Sequence, residues 1–441
     1  MRASGRCSRL LARPVWGIPT PLKGRLMPYK YNPFRPNKIV TTGMFCGRID
    51  EIEYIEHCLV QTKNGNSQNF LVEGERGIGK SSLLVFEDAI ASGSLPTRDK
   101  LGLNFITVNV SLQDTDTLFT IVKKISDRLK SVIERREKYK TLALKAISVL
   151  SKVEAAGFKF NNPSDAVSDG ELVGSLQDDL ATVITSLDDK TDGILLLIDE
   201  ADRPNESAHL GMLCKLITED LIKRQCNRLC IGLAGLPNLI GKLRASHESS
   251  PRIFETLTLK PLDIKERKAV IDIGLKEATE KNGFSVKITD TAKTWIAGMS
   301  EGYPHFLQEF AYCAFEQDSD NNINDDDVAV SLFKENGAFE QLGRKYFDNF
   351  YSIPKSDDYR LVLDEMAKHF DNWTDRATII KNSGLKQSTV DNALRALKTN
   401  GVILQHDQKR GEYRLPTKAF AAWINIGTQA NKKQHKERKP K

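Results

Sequence analysis

Near residue 74 the chain reads Gly74-Glu75-Arg76-Gly77-Ile78-Gly79-Lys80-Ser81, followed by Ser82, and this spacing suits phosphate chemistry. The glycines let the backbone curl until successive N–H groups face one anion, and a helix starting near Lys80 adds the positive end of its dipole. Lys80 has the charge and reach to meet the β- and γ-phosphates of ATP. The Ser81 hydroxyl can ligate Mg²⁺, while Ser82 supports the loop from the first helical turn. A second motif, Ile194-Leu195-Leu196-Leu197-Ile198-Asp199-Glu200, is an aliphatic run ending in two acids. A strand buried in an α/β sheet delivers such carboxylates to its carboxyl end, where ligands bind. Asp199 is then placed to hold the Mg²⁺ shell, and Glu200 to orient or deprotonate an attacking water. Lys80 and Glu200 are the expected catalytic pair of a slow ATPase. An aliphatic run ending in Asp-Glu says little alone, but downstream of a phosphate loop it says a great deal.

Such groups need a sheet to carry them. Short apolar runs at 70–72, 105–110, 194–198, 229–233 and 257–259 read as strands, several without polar alternation, as in a parallel sheet covered on both faces. Helical patterns at 80–91, 115–136, 172–187 and 209–223 fall between them, giving an α/β core. Residues 139–189 exceed what a crossover needs and read as an insertion with a polar loop at 157–170. After Lys265 the strands are expected to vanish in favour of helices up to about 350, where Ser352-Ile353-Pro354 marks a linker. The expected domains are a basic extension at 1–40, an ATPase core at 41–262, a helical lid at 263–350, a winged helix-turn-helix at 351–430 and a basic tail at 431–441.

Hydrophobic residues make up 40% and charged residues 28% of the 441, the range of soluble globular proteins, and no apolar run is long enough to span a bilayer. The seven cysteines are scattered, without the spacing of a zinc site or a disulfide framework, which suits a reducing, cytoplasmic setting. The net charge of +6 resides in the ends: residues 1–26 hold Arg2, Arg6, Arg9, Arg13, Lys23 and Arg25 with no acid. That leader reads either as a targeting segment broken by Pro14, Pro19 and Pro21 or as a disordered extension before a start at Met27.

The third module carries a helix candidate at 388–400 with Val390, Leu394 and Leu397 on one face and Ser388, Asn392 and Arg395 on the other. A hairpin follows, with Lys409, Arg410 and Gly411 at its tip. Polar residues on a recognition helix and a basic wing suit the major groove and phosphates of double-stranded DNA. Asp391, Asp407 and Glu412 dilute that positive field, so a protein partner is the other reading.

Several of these segments, together with Phe45-Cys46-Gly47-Arg48-Ile49-Asp50-Glu51, Gly235-Leu236-Pro237 and Gly302-Tyr303-Pro304, resemble prokaryotic AAA+ ATPases. The resemblance is to those related to origin-recognition initiators and to signal-transducing STAND ATPases. It spans about residues 28–425. It implies a sheet of order 5-1-4-3-2 with a helical lid, and a place beside adenine and ribose for Gly47 and Arg48. It further implies a nucleotide-controlled switch that assembles on DNA, or a STAND-like scaffold with little hydrolysis. Where the family often has a lid-sensing arginine, this chain has His305, and Asn238 is a late substitute for the polar sensor after the fourth strand. Arg244 and Arg252 are the candidates for an arginine finger offered to a neighbouring copy.

Overall fold

Five strands make the parallel sheet: β1 (Asn69–Glu73), β2 (Phe105–Ser111), β3 (Gly193–Asp199), β4 (Leu229–Gly235) and β5 (Phe254–Thr258). The order is β2-β3-β4-β1-β5, which read from the other edge is 5-1-4-3-2. Every pairing is parallel. The computed structural model describes residues 30–36, 38, 45–135, 168–186, 190–348, 356–369, 372–400, 402–406 and 408–425.

Alternation along β3 sends Leu195 and Leu197 to one face and Ile194, Leu196 and Ile198 to the other, so the unbroken aliphatic run feeds two cores. The first is closed by α1 (Ile49–Lys63) and α2 (Lys80–Ala91). The second is closed by α3 (Leu118–Arg135), α4 (Asp169–Ser186), α5 (Leu210–Lys223) and α6 (Leu239–Ser246). Strand β5 begins three residues before the expected 257–259. Phe254, Glu255 and Thr256 pair with Asn69, Phe70 and Leu71. The sheet edge tolerates Glu255, which interrupts the apolar run that sequence reading relies on. The last third of the expected insertion belongs to the core: Leu172, Val173, Leu176, Leu180, Val183 and Ile184 of α4 are buried. The polar loop expected at 157–170 lies largely outside the described residues.

The lid follows as α7 (Ile264–Asn282), α8 (Asp290–Met299), α9 (Pro304–Gln317), α10 (Asp325–Phe333) and α11 (Ala338–Leu342), the last running into a π-helical turn at Gly343–Phe347. A reciprocal capping box starts α7, with Glu266 N–H donating to Asp263 Oδ1 at 2.8 Å and Asp263 N–H to Glu266 Oε2 at 2.7 Å. Strands do not vanish after Lys265. The two-residue strands β6 (Lys287–Ile288) and β7 (Asn322–Ile323) pair in the lid, just before the N-caps Thr289 and Asn324 of α8 and α10. They are too short for any periodicity to show.

Part of the segment expected as an extension is a strap on the lid. Phe34 is buried edge-on to Phe315. Asn32 Nδ2 donates to the Tyr312 carbonyl at 3.2 Å and Glu316 Oε1 at 2.8 Å, and Arg35 N–H donates to Gln308 Oε1 at 2.8 Å.

Helices α12 (Asp357–Ala367), α13 (Arg376–Ser383) and α14 (Gln387–Thr399) and strands β8 (Thr374–Asp375), β9 (Leu404–Gln405) and β10 (Glu412–Arg414) complete a winged helix-turn-helix. Its sheet has order β8-β10-β9. The expected hairpin is β9–β10; β8 and a last helix at 418–425 come in addition. This module shares one apolar core with the lid. Phe347 packs against Phe420 at 5.2 Å and Trp423 at 5.8 Å between ring centroids. Glu301 of the lid accepts the N–H groups of Lys418 and Ala419, satisfying the start of the last helix.

Candidate functional site

The loop from Gly74 to Lys80 joins β1 to α2, and its turn depends on left-handed backbone at Gly77 (φ 79°) and Gly79 (φ 105°), a region that side chains disfavour. Gly79 is the N-cap of α2 and no side chain caps the helix, so its first N–H groups stay directed at the loop's interior. Lys80 folds back over the loop, its Nζ donating to the carbonyls of Gly74 at 2.7 Å and Glu75 at 3.0 Å. Burial lowers the Lys80 pKa, against the pull of Asp202, Glu200 and Asp199 at the end of β3.

A cleft of about 580 Å³ opens on this loop. Arg76, Gly77, Gly79, Lys80, Ser81 and Ser82 line one wall, Glu200, Asp202 and Arg203 a second, and Arg35, Lys38, His305, Gln308, Lys345 and Tyr346 a third. The two sequence motifs therefore meet in space. Asp199 Oδ1 accepts the Glu200 N–H at 2.9 Å, and Glu200 holds a left-handed φ of 53°. The Glu200 carboxylate accepts from Arg203 Nε at 2.8 Å. Asp202, buried, accepts the Leu236 N–H at 3.0 Å and so ties the end of β3 to the Gly-Leu-Pro turn after β4.

The donors that line the cleft, the Ser81 hydroxyl and the carboxylates of Glu200 and Asp202, are hard oxygens, and few, with Asp199 adjacent at the end of β3. They fit Mg²⁺, which keeps several waters and takes the rest of its shell from phosphates.

Behind the loop, Arg48 is buried with left-handed backbone (φ 62°), donates from Nη2 to the Ile78 carbonyl at 3.1 Å and pairs with Glu51 at 3.5 Å. With Phe45, Cys46, Leu262 and Val270 it lines a small recess of about 40 Å³ that also touches Ile78, Gly79 and Ser82. Gly47 packs against Glu266 and Leu262 rather than facing the recess. Glu75 is drawn away from the cleft: its carboxylate accepts the Tyr303 hydroxyl.

His305 reaches the cleft wall from the first turn of α9, with its backbone N–H on the Gly77 carbonyl at 3.4 Å. Burial, with Lys345 beside it, pushes its pKa down to about 4, so the ring is neutral at pH 7, and its Nε2 is buried without a hydrogen-bond partner. Arg244 and Arg252 are exposed, and neither lines the cleft. Asn238 begins α6 without capping it. Sequence reading missed Arg35 and Lys38, assigned to an extension, and Asp202, Arg203 and Lys345, which belong to no spacing pattern.

No family model matches the sequence, and no curated protein matches it. Solved structures do match. A Walker-type ATPase of Pyrococcus abyssi superposes with a TM-score of 0.52 at 15% identity over 86% of this chain and 96% of that one. The ORC2 protein of Aeropyrum pernix, solved as ADPNP–ADP complexes, gives a TM-score of 0.54 at 14% identity over 88% of this chain and 96% of that one. The fold is that of the ORC-type AAA+ ATPases. The likeness spans 86% and 88% of this chain in the two cases, so it extends beyond the sheet. No described helix is long and apolar enough to cross a membrane.

Proposed function

We propose that the chain is an ATP-binding, slowly hydrolysing AAA+ switch whose nucleotide state governs assembly and double-stranded DNA binding through the winged helix. One observation carries this reading: the phosphate loop, the Glu200 and Asp202 carboxylates just after β3 and the lid line a single cleft, and the lid shares its core with the winged helix. Lys80, Ser81, Ser82 and the loop N–H groups would take the phosphates, Ser81 and Asp199 the Mg²⁺. Arg48 and its recess would take the nucleoside. Bound Mg²⁺ supplies neutralisation of phosphate charge, while Glu200 would orient the attacking water once Arg203 yields.

A second reading is a STAND-like scaffold with little hydrolysis that docks a protein. The Arg203–Glu200 ion pair favours it, since it occupies the carboxylate that would have to face an attacking water. Two variants decide. Lys80→Ala should weaken ATP binding at least about tenfold, the scale of a lost charge-assisted contact, while the circular dichroism spectrum is preserved. Glu200→Gln should bind ATP normally and leave it intact, with the trapped complex accumulating as the larger species in light scattering. ATP affinity unchanged in Lys80→Ala would remove the nucleotide assignment. Equal turnover in parent and Glu200→Gln would remove the water-orienting role.

A further inference from the structure

The turn between α8 and α9 meets two other modules with nearly adjacent residues. Tyr303 donates its hydroxyl to the Glu75 carboxylate of the phosphate loop. Two positions earlier, Glu301 accepts the N–H groups of Lys418 and, at 3.3 Å, of Ala419 at the start of the last helix of the winged helix. Neither Glu301 nor Tyr303 lines the cleft, so contact with a nucleotide does not account for their placement.

The turn that carries them is stiff. Glu301 and Gly302 both hold left-handed backbone, with φ of 50° and 87°, and a glutamate persists in that region only where its surroundings fix it. The Gly302 carbonyl accepts the Leu262 N–H at 2.9 Å, and a Cβ at Gly302 would meet the Leu262 carbonyl at 2.5 Å. Tyr303 packs against the core shared by lid and winged helix and also against the core beneath α1 and α2, its ring 5.4 Å from that of Phe306. Burial, and then the Glu75 carboxylate, raise its pKa, so the phenol keeps the proton it donates. Another bond from lid to loop, His305 N–H to the Gly77 carbonyl, is 3.4 Å long, beyond the ordinary range.

We propose that Glu301 and Tyr303 are positioning residues for nucleotide binding: one rigid turn clasps the winged helix at one end and the phosphate loop at the other, so that the loop's readiness for phosphate depends on the winged helix being seated. The role rests on the nucleotide reading above and adds how a module outside the cleft reaches it. A loop already held loses less conformational freedom when it closes on an anion. By linkage, a nucleotide in the loop must in turn steady the last helix.

The test is calorimetry on the full chain with Mg²⁺ and ADP. Tyr303→Phe keeps the ring packing and removes only the hydroxyl; it should weaken ADP by about fivefold or more, the lower end of typical coupling between sites. Glu301→Ala, outside the cleft lining, should weaken ADP by a similar factor. Glu301→Gln, whose amide oxygen can still accept, should stay within about twofold of the parent. Tyr303→Phe combined with Glu301→Ala should lose no more than the larger single loss, since both break one path. Amide exchange at Lys418 and Ala419 should slow on ADP binding in the parent and not in Tyr303→Phe. Full affinity in either single variant, losses that multiply in the double one, or equal slowing of exchange in parent and Tyr303→Phe would overturn the clasp while leaving the nucleotide site standing. If the unaltered chain binds no ADP, the nucleotide reading falls, and the positioning role with it.

Discussion

Glu87 lies in the middle of α2 with both carboxyl oxygens buried and without a hydrogen-bond partner. Burial first, and then the carboxylate of Glu56, raise its pKa well above the ordinary value. The folded chain therefore keeps this proton through a range in which the unfolded chain has lost it. With fewer protons on the unfolded side, stability falls as pH rises, by up to about 1.4 kcal/mol per unit from near pH 4.5 until the folded pKa is reached. Glu87→Met, similar in size and uncharged, should remove that contribution. Urea midpoints from pH 5 to 8 should show the variant's advantage over the parent growing with pH, and an advantage constant across that range would contradict a buried neutral acid. At this scale the sequence was most legible where chemistry demands a fixed spacing. Gly74 to Ser82 and Asp199-Glu200 can be read because phosphate geometry dictates them. Lys345 and Arg35 could not be, since the chain places them beside the site only through the packing of the lid and strap, 265 and 45 positions from Lys80.

Among the elements, α14 has the plainest two-sided character. Val390, Ala393, Leu394 and Leu397 are buried, whereas Ser388, Asn392 and Arg395 are exposed. Asp391, which would oppose a nucleic acid, is held by Arg376 at 2.5 and 2.7 Å. Their mutual pairing lowers the Asp391 pKa and raises that of Arg376. Lys409 and Arg410 are exposed at the wing, with Lys409 at 3.5 Å from Glu412. For the proposed DNA role, Arg395→Glu with Lys409→Glu and Arg410→Glu should abolish duplex binding in low salt and leave ATP binding unchanged. Filter binding or anisotropy that finds parent and variant equally retained would move the winged helix to the protein-docking role. Helices of this kind are legible because their apolar face repeats every three or four residues, and α2 lies at 80–91, as the pattern predicts. Edge strands are less so: β5 tolerates a charge, and β6, β7 and β8 are too short to carry a period.

Across the whole molecule, the segment near residue 351 that looks like a linker does not separate two cores. Buried residues run from Leu342 and Phe347 of the lid to Val362, Phe420 and Ile424 without a break. A chain ending at residue 350 would expose Phe347 and free Glu301, losing aromatic burial worth about 1.5–3 kcal/mol per fully covered side chain. Denaturation of that truncated chain should show the lid melting at clearly lower urea than in the full chain, together with increased light scattering. A truncated lid as stable as the original would mean the shared packing contributes nothing. Sequence reading drew a boundary there because Ser352-Ile353-Pro354 has linker composition, and composition reports the local chain rather than what packs across it.

The same packing bears on ancestry and engineering. A Cβ at Gly343 would collide with the Trp423 indole, and Glu301 is fitted to the start of the last helix. A winged helix from another protein, spliced in after residue 350, would arrive without the matching tryptophan, phenylalanine and exposed helix start. Recombination could exchange this reader only as a set with the last turns of the lid. Any graft that hopes to give the ATPase a new target must carry Glu301 and residues 338–347 along with it, or redesign both sides of the seam.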